Sequence, residues 1–149
     1  MSTMTEYLDS LHGYSAVIGM GVSNTPLIRM FLRAGLKVTV CDKAPRERVE
    51  EQAAELESLG AKLQLGPGYL DRLDRFDLIF RTPGLSPNTP ELQAAAGKGS
   101  IVTSEMELFF QLCPCKIIGV TGSDGKTTTT TLISEFLKEA GYNVYVGGN

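Results

Sequence analysis

The segment Gly122-Ser123-Asp124-Gly125-Lys126-Thr127-Thr128 carries residue types suited to holding an anion. Glycines let backbone N–H groups curl around a phosphate, and a helix that starts just beyond them turns its free N–H groups toward the same point. Lys126 adds a mobile positive charge, and Thr127 a hydroxyl of the kind that ligates Mg2+ beside a nucleotide phosphate. The general P-loop pattern requires a glycine where this chain has Val120, so the loop is a shortened Gly-x-x-Gly-Lys-Thr. The alternative is an ordinary connection rich in Gly and Thr. Successive β-branched threonines start a helix poorly by propensity. Their presence is easier to understand if the hydroxyls face a ligand.

A second group of residues has the layout of a nucleotide site. Gly19-Met20-Gly21-Val22-Ser23-Asn24 comes after an apolar run, and Asp42 about twenty positions later, as in a dinucleotide-binding fingerprint. Asn24 stands where that fingerprint has its third glycine, which weakens a reading as an NAD site. A tight connection without ligand is the plain alternative for this turn, and a solvated carboxylate or helix cap for Asp42. Thr82-Pro83-Gly84 is a third loop that reads either as a turn or as part of the same site. Cys41, Cys113 and Cys115 lack paired spacing, and His12 is the sole histidine. Neither a disulfide framework nor a zinc site is expected, and a histidine-based hydrolytic triad is set aside.

Periodicity supplies the strands and helices that carry these residues. Residues 4–12 hold Met4, Tyr7, Leu8 and Leu11 at helical spacing. Strands are predicted at 14–19, 37–41, 62–65, 77–81 and 100–103. Helices are predicted from Leu27 to Gly35, and over 46–59, 90–96 and 105–112, the last with Met106, Leu108, Phe109 and Leu112 turned inward. Strands alternating with helices imply a parallel sheet covered on both faces, an α/β doubly wound, Rossmann-like arrangement. In such a sheet ligands sit beyond the carboxyl ends of the strands, where all three loops of the second group fall. Cys113-Pro114-Cys115 reads as a junction. Beyond it Lys116–Val120 reads as a buried strand, then comes a helix with Leu132, Ile133, Phe136 and Leu137 on one stripe, then a strand at 143–146.

The chain has 149 residues, enough for one domain or for a domain and part of another, with a formal net charge of −3. Its interleaved charges give no hint of a nucleic-acid surface. No apolar run reaches the roughly 20 residues needed to span a bilayer. The N-terminus lacks the features of a signal peptide, so a cytosolic location is expected.

The run Val120-Thr121-Gly122-Ser123-Asp124-Gly125-Lys126-Thr127-Thr128-Thr129 resembles the ATP-binding loop of the Mur ligase family. These ATP-dependent amide-bond ligases add amino acids to the UDP-linked precursor of peptidoglycan. Thr103-Ser104-Glu105-Met106-Glu107-Leu108-Phe109 and Tyr145-Val146-Gly147-Gly148-Asn149 are most similar to the branch that joins D-glutamate to UDP-N-acetylmuramoyl-L-alanine. The resemblance implies that Gly21, Val22, Ser23 and Asn24 line the substrate diphosphate with backbone N–H groups. It implies that Asp42, with Lys43 beside it, meets the uridine, that Thr82, Pro83 and Gly84 border uracil and diphosphate, and that Asn149 contacts the muramoyl part. For ATP it implies binding by Gly122, Ser123, Asp124, Gly125, Lys126, Thr127 and Thr128. Lys126 and Thr127 would be the catalytic pair, and Thr127 the Mg2+ ligand. Asn24 in place of a common glycine, and Lys43 where some members have a hydroxyl residue, are departures from the family pattern.

Over the whole chain, the same resemblance implies a Rossmann-like UDP-sugar domain at 1–113 and an incomplete start of the ATP-binding domain at 114–149. Such a chain would bind UDP-sugar without completing the family reaction, which proceeds through an acyl phosphate. Residues 116–149 would then be poorly ordered, or paired with another chain or with the edge of the first sheet. No nucleic-acid or membrane partner is expected. The competing readings are the sister ligase that adds L-alanine to UDP-N-acetylmuramate, and a non-catalytic module that senses NAD.

Overall fold

The computed structural model describes residues 4–11 and 13–147. It divides into two compact units, Met1–Pro114 and Cys115–Asn149. In the first unit, five parallel strands form one sheet in the order β3-β2-β1-β4-β5. They are β1 (Ser15–Ile18), β2 (Val38–Asp42), β3 (Lys62–Leu65), β4 (Leu78–Arg81) and β5 (Ile101–Ser104). Register is fixed by the pairs Ser15 with Val38, Thr39 with Lys62, Ser15 with Leu78, and Leu78 with Ile101. All four residues of β1 are buried, as a central strand covered on both faces requires.

The helices are α1 (Met4–Ser10), α2 (Asn24–Arg33), α3 (Glu50–Ser58), α4 (Pro90–Gly97) and α5 (Glu105–Leu112). Strand alternation sends Val17, Val40 and Phe80 to one face, where Leu27, Ile28 and Phe31 of α2, Leu56 of α3 and Leu108 of α5 cover them. The rings of Phe31 and Phe80 meet edge to face at 5.2 Å. Ala16, Ile18, Cys41 and Ile79 face the other side, under Leu92 and Ala95 of α4 and Leu73 and Phe76. The sheet is thus doubly wound, as the alternation of elements predicts.

Three expectations are corrected. The helix predicted over 46–59 is interrupted, with a 3-10 turn at Arg46–Arg48 separated from α3 by Val49 at φ −131°. Val49 packs against the core, which pulls the chain out of the helical path. On α5, Met106 and Phe109 are not turned inward but are each 50% exposed, with Leu108 the fully buried position. The α5 stripe is rotated because the helix starts directly off β5. There the Ser104 hydroxyl accepts from the Glu107 N–H at 3.2 Å, and the Glu107 carboxylate accepts from Thr103 Oγ1 at 2.9 Å. This is a capping-box sequence that lets strand pass into helix without a loop.

The third correction lies in the second unit. Its described residues contain one helix, α6 (Lys126–Glu139), but neither 116–120 nor 143–146 forms a strand. β-branched residues favour extended backbone, yet a strand exists only with a ladder partner, and no such pairing forms among the described residues. On the α6 stripe, Leu132 and Phe136 are exposed while Ile133 and Leu137 are half-buried.

Candidate functional site

The strand order reverses between β1 and β4, and at that switch point the carboxyl ends of neighbouring strands diverge. The loop after β1 is a glycine turn. Gly19 has φ +94°, a left-handed conformation, and a Cβ placed there would lie 3.2 Å from Thr82 Cβ. Only glycine lets the β1 loop and the β4 loop approach this closely. The Gly19 N–H donates to Cys41 O at 2.7 Å, tying the turn to the end of β2 as well.

Asp42 completes the junction. One carboxylate oxygen accepts from the Met20 N–H at 2.7 Å and the other from the Ala44 N–H at 2.8 Å. Its negative charge therefore braces the glycine turn and the start of the next loop before any ligand is considered. Beside it, burial pushes the Cys41 thiol up to about 12, against the opposing pull of Arg75. Cys41 is thus a neutral core group, with no part in the chemistry of the site.

Gly21, Val22 and Ser23 stand open to solvent, Val22 being 95% exposed. The helix beyond them returns its first hydrogen bond from the Thr25 N–H to Gly21 O at 3.0 Å. Among the described residues, the N–H groups of Gly21 to Asn24 have no partner, as the opening turn of a helix dictates. The Asn24 side chain does not face the crevice. It is 1% exposed, its Nδ2 donates to Ile18 O at 2.8 Å, and its Oδ1 is buried without a partner. The amide fills the space that a glycine would leave between helix and strand, so only its backbone N–H can meet a ligand.

Thr82-Pro83-Gly84-Leu85 is a tight turn closed by the Leu85 N–H on Thr82 O at 3.0 Å. Arg81 Nη1 reaches back to Leu85 O at 3.3 Å and steadies it. Pro83, Gly84 and Lys43 are exposed at the rim. Gln52 and Thr25 were not legible as site residues. Gln52 Nε2 donates to Met20 O and to Thr25 Oγ1, both at 2.9 Å. The available signal was that a glutamine sits on the Val49–Leu56 stripe of an otherwise charged helix.

The second unit carries the other predicted loop. Gly125 at φ +72° caps α6, and the Thr129 N–H donates to Gly125 O at 2.9 Å. Lys126, Thr127 and Thr128 therefore present free N–H groups at the helix start. Lys126 Nζ donates to Gly122 O at 2.5 Å and to Ser123 O at 3.3 Å, so it arches over the loop. Asp124 and the Thr127 hydroxyl are exposed beside it. This donor set, a cation with several N–H groups and a hydroxyl, matches a phosphate bearing Mg2+. Asn149 lies outside the described residues.

A 3-2-1-4-5 parallel sheet with a glycine turn at its switch point defines a doubly wound, Rossmann-like α/β domain. Residues 14–104 match the family model for the N-terminal domain of MurD-like Mur ligases, and the chain belongs to that family. It is 52% identical over 134 residues to UDP-N-acetylmuramoylalanine--D-glutamate ligase of Clostridium botulinum, covering 90% of this chain. The same identity and coverage hold for the ligase of that name from Ruminiclostridium cellulolyticum. The chain spans 29% of the length of these curated relatives. The crystal structure of the murein peptide ligase Mpl from Psychrobacter arcticus shares the fold, with a TM-score of 0.53 and 23% identity over 87% of this chain and 27% of that one. No helix among the described residues is long and apolar enough to cross a membrane.

Proposed function

We propose that this chain is the UDP-sugar-binding part of a ligase that joins D-glutamate to UDP-N-acetylmuramoyl-L-alanine in peptidoglycan synthesis in the cytoplasm. Residues 1–113 bind the UDP-sugar, and residues 114–149 begin the ATP-binding domain. The observation that carries this reading is the meeting of Gly19–Asn24, Asp42 and Thr82 at one switch point. The N–H groups of Gly21 to Asn24 bind the diphosphate, Asp42 and Lys43 border the uridine, and Thr82, Pro83 and Gly84 close the uracil side.

ATP with Mg2+ supplies the phosphoryl group that activates the substrate carboxylate for attack by the amine. Gly122, Ser123, Asp124, Gly125 and the N–H groups of Lys126 to Thr128 hold its phosphates, Lys126 neutralises charge on them, and Thr127 ligates the metal. Asn149 contacts the muramoyl substrate. The 149 residues bind UDP-sugar without turnover, and the exposed stripe of α6 promotes self-association.

Calorimetric titration of the chain with UDP-N-acetylmuramoyl-L-alanine, NAD and ATP–Mg in parallel tests the reading. UDP-sugar binding that is lost in Asp42→Ala, with no NAD binding, is the expected result. NAD binding without UDP-sugar binding would move the function to a sensor module. The buried Asn24 amide at the position of a fingerprint glycine weakens the NAD reading.

A further inference from the structure

The glycine turn is held in place by more than its own glycines, and the hydrogen bonds around Met20 show how. Its N–H is taken by Asp42, its carbonyl by Gln52 from α3, at 2.7 and 2.9 Å. The second Gln52 amide proton goes to Thr25 Oγ1. That hydroxyl lies 3.0 Å from both Met20 O and Gly21 O. A carbonyl oxygen accepts more than one bond, so the single hydroxyl proton can serve either carbonyl, and Gly21 O also accepts the Thr25 N–H at 3.0 Å. Gln52 thus holds Met20 O directly and fixes the Thr25 hydroxyl that lies against both carbonyls.

A trans peptide is planar, so its C=O and the N–H of the next residue point in opposite directions. Holding Met20 O toward α3 turns the Gly21 N–H away from it, and holding Gly21 O does the same for the Val22 N–H. Those are two of the unpartnered donors at the crevice. We infer that Gln52 is a positioning residue for anion recognition, aiming the Gly21 and Val22 N–H groups at a ligand diphosphate through its bonds to Met20 O and Thr25. This rests on the UDP-sugar reading above and adds residues outside the loop to it. Because these donors are set before binding, the turn meets the phosphate without first being ordered.

The test uses the 15N-labelled chain, with UDP and uridine as probes and affinities read from the Gly21 and Val22 amide resonances. Gln52→Leu keeps the volume and removes both donated bonds. It is expected to weaken UDP about tenfold and to leave uridine within about twofold, because the donors act on phosphate alone. A paired substitution guards against a fold effect. Thr25→Val should lower UDP affinity and Thr25→Ser should restore it, since serine keeps the hydroxyl relay. Unchanged UDP affinity in Gln52→Leu, or an equal loss for UDP and uridine, would overturn the inference. If the unmodified chain binds no UDP, the functional reading fails instead. The free-state resonances still decide the Gln52 role, because Gly21 and Val22 amide shifts unmoved in Gln52→Leu would overturn it.

Discussion

Gly19 is the position at which residue identity matters most for the site. Its φ of +94° suits glycine alone, and a methyl group there would press on Thr82 at 3.2 Å. Gly19→Ala is expected to cost about 2 kcal/mol, part backbone strain and part separation of the two loops, read as a lower urea midpoint. Cys41 makes a different kind of prediction. Its thiol is raised from an ordinary 9.0 to about 12 by burial. A folded value above the unfolded one means that the stability this group contributes is complete below pH 9 and is lost as pH rises toward 12. Cys41→Ala should therefore show a smaller loss of stability between pH 8 and pH 10 than the unmodified chain, by about 1 kcal/mol in urea titrations. An identical loss in both would show that another group governs the alkaline limb.

At the scale of elements, α6 has an N-terminus of free N–H groups and an apolar side with different requirements. Its N-terminus needs only Gly125 and free N–H groups, both set locally by the Gly-x-x-Gly-Lys-Thr spacing. Its apolar stripe needs a surface to pack on, and Phe136 is 71% exposed with Leu132 exposed one turn before it. The flanks at 116–120 and 143–146 leave their backbone groups without ladder partners. Concentration-dependent association in sedimentation velocity is expected. A Leu132→Glu, Phe136→Glu double variant should shift the chain to monomer without loss of helical signal. Association unaltered by these substitutions would place the contact elsewhere. The α5 start shows the opposite situation, since Ser104 and Glu107 satisfy the helix N-terminus from within four residues of sequence. The segment Thr103–Phe109 that marks the family resemblance is, physically, this strand-to-helix junction.

At the scale of the whole molecule, the doubly wound sheet and its carboxyl-end loops were legible because they arise from local pattern. Period-2 and buried apolar runs separated by amphipathic helices leave few topologies once crossovers are right-handed. The glycine turn, Asp42 and Thr82-Pro83-Gly84 could be placed at strand ends from spacing alone. Strand order, and with it the contact of Gly19 with Thr82, needed the folded sheet, because residues 63 positions apart meet only when β1 and β4 become neighbours. Met106 and Phe109 carry apolar character that periodicity assigns inward, and only packing shows that Leu108 alone is fully buried on α5. Lys116–Val120 has strand composition without a strand, since pairing is a property of two segments and composition a property of one. Gln52 illustrates the same division, as its position on α3 is set by sequence but its grip on Met20 depends on α3 lying beside the turn. The order of residues was enough to set the elements, the loops between them and the kinds of group at strand ends, because backbone preference and side-chain chemistry are local. Which loops converge, which carbonyls are held and which donors are left free came only with the folded chain, because those depend on distances between segments far apart in sequence.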